Sequence, residues 1–317
     1  MTTVTIIIPV YNRAAMVREA IESALSAAPD VSLEIVVIDD ASTDETWDSL
    51  RAYDDPGIRC FRMEANSGQS AARNRGLDVA RGTYVKFLDS DDILIPGHLS
   101  AEVQALQTTG AEIAVSGWCA KWKEKTTTYA APVFHEIVDD VLAGLAVPTS
   151  AALYARRSDW RWDPALRKLD DWDYFCQAAL GANRIVTVDG PAYDMREHSG
   201  SRVTNTTMLA NAREFHRILQ KIEDRLSAEG SLTAPRRRRL AQYLFKELRV
   251  LCLHDRDAFE ATVEHIHSLD PSFQPRDEEG QRLMRIMARA LGFRKAVLLH
   301  SAMKRVVKGN RELMPWK

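Results

Sequence analysis

The chain has 317 residues, which is more than most single hydrophobic cores contain, so we expect one large domain and a smaller appended region. Hydrophobic residues make up 45% of the chain and no run of 18 apolar residues occurs, so we expect no transmembrane helix. The net charge of -2 hides an asymmetry, because residues 281–317 contain ten Lys or Arg and a single acid, Glu312.

The first half of the chain alternates short apolar runs with helix-like segments, which is typical of a mainly parallel sheet covered by helices. The predicted strands are Val4–Pro9, Leu33–Asp39, Ile58–Met63 and Thr83–Leu88. The segments Ala14–Ala27 and Ser70–Ala80 between them are predicted helices. Such a sheet binds ligands at the carboxyl ends of its strands.

A capping-box pattern follows the second predicted strand. Ser42 is followed three residues later by Glu45, which predicts that a helix begins directly after that strand. Asp39 and Asp40 would then lie in a strand-to-helix loop, at the ligand-binding edge of the sheet.

The alternation weakens after about residue 110, where we expect the sheet to continue in mixed orientation. From Thr207 onward the pattern is helical, with predicted helices at Met208–Ala228, Pro235–Leu253, Ala258–Ser268 and Gln281–Val307. We therefore predict an α/β domain over residues 1–205 and a helical region over residues 206–317.

Carboxylates stand at three places that we expect to be strand ends meeting at one edge of the sheet. These are Asp39 with Asp40, Asp89 with Asp91 and Asp92, and Asp170 with Asp171. Clustered carboxylates suit a hard cation such as Mg²⁺ or Mn²⁺, which takes its other ligands from water and substrate phosphates. Solvated loop acids are the alternative.

Neither a Walker A motif nor a GxGxxG motif follows the first strand, so the sequence does not support a P-loop or a dinucleotide site.

Five ordered segments carry a resemblance to a known family. They are Thr5–Arg13 (TIIIPVYNR), Glu34–Thr46 (EIVVIDDASTDET), Asn66–Gly76 (NSGQSAARNRG), Tyr84–Pro96 (YVKFLDSDDILIP) and Asp170–Phe175 (DDWDYF). In order and spacing they resemble the signatures of family 2 glycosyltransferases with the GT-A fold, a Rossmann-like sheet flanked by helices. The resemblance covers about residues 3–205 and leaves the C-terminal helices uncovered.

The resemblance implies a nucleotide-sugar site at the first strand ends. Pro9, Tyr11 and Asn12 would pack against the base and ribose, with core packing as the alternative for Tyr11. Asp40 would accept from N3–H of the base, which favours a UDP-sugar, while Asp39 would hold the loop.

The resemblance also implies roles for the next two motifs. Gly68 would let the backbone approach the ligand. Arg73 would hold either the acidic motif or a phosphate, two roles that the sequence alone does not separate.

The acidic triplet Asp89, Ser90 and Asp91 would combine nucleotide and metal contacts. On an extended segment Asp89 and Asp91 would point the same way, Asp89 with Ser90 toward the nucleotide and Asp91 toward Mn²⁺ or Mg²⁺. The resemblance places His198 near the metal and diphosphate, although a lone histidine is more often structural.

Asp170 and Asp171 correspond to the acidic pair that starts a helix in this family. Asp171 is the predicted catalytic base, which would deprotonate an acceptor hydroxyl during an inverting displacement. Asp170 would raise the pKa of the pair and a helix N-terminus would lower it, so the sequence leaves the sign open. Trp172 could floor the acceptor site or pack in the core.

The sequence lacks the QxxRW motif of processive relatives, which favours transfer of a single sugar to a glycan or lipid-linked acceptor. Two other functions stay open: a degenerate transferase that binds without turnover, and a sugar-phosphate nucleotidyltransferase, which would need a Gly-rich first loop.

Location and partners are the last predictions from the sequence. We expect a cytoplasmic protein that does not bind nucleic acid. The basic helix Gln281–Val307 would either pack on the domain or on a second copy in a homodimer, or lie on the inner face of the membrane.

Overall fold

The computed structural model describes residues 4–122, 125–196, 208–274 and 292–298. The chain divides into two compact units, residues 1–202 and residues 203–317. Across the described ranges, no helix combines the length and the apolar character needed to cross a bilayer.

One mixed sheet forms the centre of the first unit. Its strands are β1 (Val4–Val10), β2 (Leu33–Asp39), β3 (Ile58–Arg62), β4 (Tyr84–Phe87), β5 (Ile93–Leu94), β6 (Ile113–Trp122), β7 (Lys125–Tyr129), β8 (Ala152–Ala155) and β9 (Ile185–Arg196). They lie in the order β3-β2-β1-β4-β8-β6-β9-β5, with β7 paired to β6. The pairs β1–β2, β2–β3, β1–β4 and β6–β9 are parallel, and the others are antiparallel. The predicted mixed sheet is confirmed.

Helices flank this sheet. They are α1 (Ala14–Ser26), α2 (Thr46–Leu50), α3 (Gln69–Val79), α4 (His98–Thr109), α5 (Ile137–Val141) and α6 (Asp170–Gly181). Every residue of β1 is buried, as expected of a central parallel strand covered on both faces. Gly76 lets α3 approach β1 closely, because a Cβ there would lie 2.4 Å from Cγ2 of Ile7. This close packing sets the position of the α3 side chains at the sheet edge.

Two predictions need correction: the capping box at Ser42, and the strand end expected at Asp170 and Asp171. The capping box is wrong: α2 begins at Thr46 after an N-cap, Glu45, that makes no side-chain cap. The Ser42 hydroxyl instead accepts a hydrogen bond from the Asn12 backbone N–H at 2.9 Å, joining the loops after β1 and β2. Asp170 and Asp171 do not end a strand, because they form the first turn of α6.

The second unit is helical. Its long helices are α7 (Met208–Ala228), α8 (Ala234–His254) and α9 (Arg256–Leu269). Apolar residues at helical spacing are buried on all three, as an amphipathic bundle requires. Asp255 caps α9 by accepting from the Ala258 N–H at 3.1 Å. Of the predicted basic helix the structure describes only residues 292–298, in which the Phe293 ring packs against Phe245 and Phe273; the rest lies outside the described residues.

Candidate active site

The two aspartates after β2 hold the loops of the sheet edge. Asp39 is fully buried, accepts from the Ser42 N–H at 3.2 Å and pairs with Nε of Arg62 at 3.2 Å. Asp40 accepts the Ser67 and Gly68 N–H groups at 2.8 Å each, one on each carboxylate oxygen. Each of those oxygens keeps a second lone pair, so Asp40 can anchor the start of α3 and still accept from a ligand.

The end of β1 presents one exposed aromatic ring. Pro9 is buried in the strand, whereas Tyr11 is 43% exposed. Asn12 has a positive φ of 52° and its Oδ1 accepts from the Thr43 N–H at 2.8 Å. The side chain of Asn12 therefore secures the two loops, and Tyr11 offers a ring face at the same edge.

Arg73 lies at the centre of a cluster with Asp89, Asp170 and Asp171, in which Arg73 and Asp170 are buried and the Asp89 side chain is 37% exposed. Its guanidinium donates from Nη2 to Asp89 at 2.6 Å and from Nη1 to Asp170 at 2.9 Å, and only 2% of the side chain is exposed. The guanidinium carbon also lies 4.2 Å from the centre of the Trp162 ring. Because carboxylates and an indole occupy this fork, the geometry favours holding the acids over binding a phosphate.

Asp170 joins the beginnings of two helices. It is almost fully buried at the start of α6 and accepts from the Ser70 hydroxyl at 2.9 Å and from the Gln69 amide at 2.8 Å, in addition to Arg73. A buried carboxylate is tolerated when its oxygens are satisfied in this way. Asp170 therefore fixes α6 to α3, and with it the neighbouring Asp171.

Asp171 is a carboxylate whose pKa is raised toward the range that suits proton transfer at neutral pH. Burial raises its pKa to about 6, the adjacent Asp170 charge adds to the rise, and the Trp172 N–H and Arg73 oppose it. The carboxylate accepts from that N–H at 2.7 Å. The structure thus resolves the sign that the sequence left open. Trp172 itself is only 7% exposed, which favours core packing.

The acidic triplet forms a turn, so the expectation of an extended segment is wrong. The Asp92 N–H donates to the Asp89 carbonyl at 2.9 Å, and this turn sends the two outer carboxylates to different partners. Asp89 pairs with Arg73, whereas Oδ2 of Asp91 lies 2.5 Å from Nη1 of Arg13. Ser90 is buried.

Charge accumulates in this turn. Burial raises the pKa of Asp89, with the Asp91 charge adding to the rise and Arg73 opposing it. Burial and the charges of Asp89 and Asp91 raise the pKa of Asp92 well above its usual range. A cation bound at the turn would relieve this repulsion.

The oxygen donors of the turn decide whether a divalent cation fits this site. In the part of the chain that the structure describes, no three His, Cys, Asp or Glu residues form a ready metal-binding group. Asp91 offers a partly exposed carboxylate, and a cation that takes most of its ligands from a bound diphosphate needs only one or two. The set therefore fits a cation shared with a substrate rather than one held by protein alone. His198 lies outside the described residues.

Several residues of the site had no predicted role. Arg13 stands in the first motif, and its partner Asp91 is 78 positions away in the chain. The Ser150 hydroxyl donates to Asp92 at 3.4 Å, and Nε of Arg196 donates to the Asp91 carbonyl at 2.6 Å. Trp162 lies against the Arg73 guanidinium, and none of the five sequence motifs includes the loop that carries it. Only Arg13 could have been found from the sequence, as the one cation in the motif that ends β1.

Comparison with known proteins gives consistent findings. Residues 5–146 match the family model described as Glycosyl transferase family 2. The chain is 41% identical over 221 residues to the succinoglycan biosynthesis protein ExoO of Rhizobium meliloti (strain 1021), covering 63% of each protein. It is 38% identical over 108 residues to the UDP-Glc:alpha-D-GlcNAc-diphosphoundecaprenol beta-1,3-glucosyltransferase WfaP of Escherichia coli, covering 34% of this chain and 43% of WfaP. The chain thus spans less than two thirds of either relative.

A solved structure establishes the fold. S. aureus TarS 1-349 in complex with UDP-GlcNAc aligns with a TM-score of 0.70 at 18% identity, covering 98% of this chain and 93% of the TarS chain. The predicted GT-A fold is confirmed.

Proposed function

We propose that this protein, whose residues 5–146 match the family model described as Glycosyl transferase family 2, is an inverting, metal-dependent glycosyltransferase. It moves one sugar from a nucleotide-diphosphate sugar, a UDP-sugar, to a hydroxyl of a glycan or lipid-linked acceptor in polysaccharide or glycoconjugate biosynthesis. The observation that carries this proposal is Asp171, a carboxylate with a pKa of about 6 that Asp170 and Arg73 tie to the acidic motif.

Asp171 is the base of the proposed reaction. Its carboxylate takes the proton of the acceptor hydroxyl as that oxygen attacks the anomeric carbon. The bond between the anomeric carbon and the diphosphate oxygen breaks on the opposite face, so the configuration inverts. A base works best when its pKa lies near the working pH, and a pKa of about 6 meets that requirement better than an ordinary aspartate.

The nucleotide is held at the ends of β1 and β2. Tyr11 supplies an exposed ring for the base, and Asp40 uses its remaining lone pairs to accept from N3–H of uracil. Asp89 lies on the ribose side, where Arg73 fixes its orientation. The names of two similar proteins support a UDP-sugar, since WfaP is a UDP-glucose enzyme by name and TarS was solved with UDP-GlcNAc.

Asp91 is the proposed metal ligand, with His198 as a second. A bound Mn²⁺ or Mg²⁺ supplies Lewis-acid stabilisation of the departing diphosphate. Arg13 pairs with Asp91 and keeps its charge balanced before the donor and cation arrive.

The test is a screen of UDP-, GDP- and dTDP-sugars for slow hydrolysis, in which water replaces the unidentified acceptor. We expect hydrolysis of a UDP-sugar that requires Mn²⁺ or Mg²⁺ and stops with chelator. Binding of UDP with metal but no hydrolysis or transfer would favour the degenerate transferase instead.

The acceptor and the membrane contacts complete the proposal. The name of WfaP includes a diphosphoundecaprenol-linked acceptor, which is compatible with a lipid-linked acceptor here. Membrane binding or dimerisation through residues 281–307 stays a prediction. Binding of the intact protein to anionic liposomes at low salt checks the first, and its mass in solution checks the second.

A further inference from the structure

Trp162 occupies a buried position beneath the cluster, in the loop that joins β8 to α6. It is 3% exposed and lies beyond residues 5–146, the part of the chain that the family model matches. The Arg73 guanidinium carbon is 4.2 Å from the centre of its ring, and the Tyr174 ring is stacked on it at 4.4 Å and 10°. Two groups at such heights cannot share one ring face, so the indole is sandwiched between the guanidinium and the phenol.

The backbone of Trp162 is fixed to the same helix that carries Arg73. The Asn74 amide donates to the Trp162 carbonyl at 2.9 Å, and its oxygen accepts from the Trp162 N–H at 3.0 Å. The Phe87 ring meets the indole edge-on at 5.0 Å and 85°. Trp162 is thus held on three sides, which gives Arg73 a rigid surface to lie on.

The fixed guanidinium has two tasks at once. A planar guanidinium stacked on an aromatic ring loses its freedom to rotate, and its two Nη atoms then point in set directions. Those directions are toward Asp89 on the donor side and Asp170 beside the base. A small displacement of Arg73 would therefore disturb both ends of the site.

We infer that Trp162 is a positioning residue for sugar transfer, which holds Arg73 in the plane that joins Asp89 to Asp170 and so places the base Asp171 against the donor. This inference rests on the proposed function. It adds to that function a residue that touches neither the nucleotide nor the acceptor.

The test compares Trp162→Leu, which removes the flat ring, with Trp162→Phe, which keeps one. With the UDP-sugar that the wild type hydrolyses, we expect kcat to fall about tenfold or more in Trp162→Leu, because small misplacements are costly in catalysis. Trp162→Phe recovers most of kcat. UDP affinity falls by less than kcat in both variants, because the contacts of the β1 and β2 loops to the base are untouched and only the Asp89 contact to the ribose is loosened.

Trp160 provides a matched control in the same loop. It is also buried at 2%, and it also carries an arginine, Arg157, 4.9 Å from its ring centre. Arg157 pairs with Asp159 and Glu112 and makes none of the contacts of the cluster. Trp160→Leu should therefore destabilise the fold about as much as Trp162→Leu while leaving kcat within about twofold.

A second readout separates this inference from the proposed function. The Asp171 carboxyl is titrated by ¹³C NMR with labelled aspartate and assigned by its loss in Asp171→Asn. The titratable groups that act on it or that it acts on are Asp170, Arg73, Asp89, Tyr154, Tyr193 and Cys176. Arg73 lowers the pKa of Asp171, so a loosened Arg73 in Trp162→Leu should raise that pKa above the wild-type value, and Trp160→Leu should leave it unchanged.

The outcomes are distinct. If the wild type hydrolyses no sugar nucleotide, the proposed function fails, and the titration alone still reports whether Trp162 positions Arg73. Equal losses of kcat in the two leucine variants would overturn the inference, as would a folded Trp162→Leu protein with wild-type kcat and titration. If Trp162→Leu does not fold, a lower kcat in Trp162→Phe than in Trp160→Phe supports the inference, and equal values overturn it.

Discussion

Two arginines bind the two outer carboxylates of one acidic turn, and they do so in opposite environments. Arg73 is 2% exposed, contacts Asp89 and Asp170, and lies on Trp162. Arg13 is 25% exposed and pairs with Asp91, itself 21% exposed. Both outer carboxylates are partly exposed, Asp89 at 37% and Asp91 at 21%, so the difference lies in the two arginines and in Asp170, the second partner of Arg73, which is 2% exposed. The buried half of the site is therefore Arg73 with Asp170, and the open half is Arg13 with Asp91.

The difference has a physical consequence. A partly exposed ion pair contributes about 0–1 kcal/mol, so another cation can replace Arg13 at Asp91 at small cost. A buried pair that loses one partner leaves a charge without compensation, so Arg73 cannot exchange. The contrast gives the two outer carboxylates different roles: Arg73 fixes the orientation of Asp89, whereas Asp91 can exchange Arg13 for another cation.

The largest expected effect concerns Asp171, the proposed base, which lies next to the buried Asp170. Asp171→Asn removes the proton acceptor, and we expect kcat to fall by roughly 10²–10⁴-fold, as is usual for loss of a general base. UDP affinity with Mn²⁺ should not change, because the Tyr11, Asp40 and Asp91 contacts remain. Steady-state transfer and calorimetric UDP binding measure the two. Full activity in Asp171→Asn would end the assignment of the base.

The second prediction tests the contrast between the arginines directly. Arg73→Met should lower the free energy of unfolding by about 3–5 kcal/mol, because it leaves the buried Asp170 charge uncompensated. Arg13→Met should lower it by less than about 1 kcal/mol, because that pair is partly exposed. Denaturant unfolding of both proteins at pH 8 measures the difference. Equal losses would mean that the two arginines do not differ in this way.

The third prediction concerns the open half. Asp91→Asn should lower metal-dependent transfer about 100-fold or more, since it removes the carboxylate proposed to hold the cation. Unfolding should change little. In contrast to Asp171→Asn, this variant should also lose the gain in UDP affinity that Mn²⁺ provides. A variant that still binds UDP more tightly with Mn²⁺ would move the metal to other residues.

The sheet edge was predictable from the sequence because its signals are local. The first four strands are recognisable in the sequence as β-branched runs, and helices of ordinary length separate them. Parallel strands then bring their carboxyl ends together whatever the side chains are. The placement of β8 between β4 and β6 had no such signal, since the antiparallel insertion of this strand depends on contacts between distant segments.

The carboxylates were predictable, but most of the contacts that fix them were not. Asp40, Asp89 and Asp171 follow from motifs, and holding the acidic motif was one of the two predicted roles of Arg73, whereas its second partner, Asp170, had no signal in the sequence. Arg73 to Asp170 spans 97 positions, and Asn74 to the Trp162 backbone spans 88. A capping box at Ser42 was a reasonable local interpretation that failed for the same reason, because Asn12 competes for that hydroxyl across the sheet edge.

The smallest expected effect is on the pH dependence of kcat/KM. It should respond to a change at Arg73 and not to a change at Arg13. With the pKa of Asp171 at about 6, kcat/KM should be level above that pH and fall about tenfold per unit below it, because the base must be ionised. Arg73 lowers this pKa, so Arg73→Lys, with a less well fixed charge, should move the midpoint upward. Arg13→Met should leave the midpoint in place, because Arg13 pairs with Asp91 outside the buried cluster. A midpoint near 4 in the wild type would mean that Asp171 is as well solvated as an ordinary aspartate, and burial would then no longer be the reason for its choice as base.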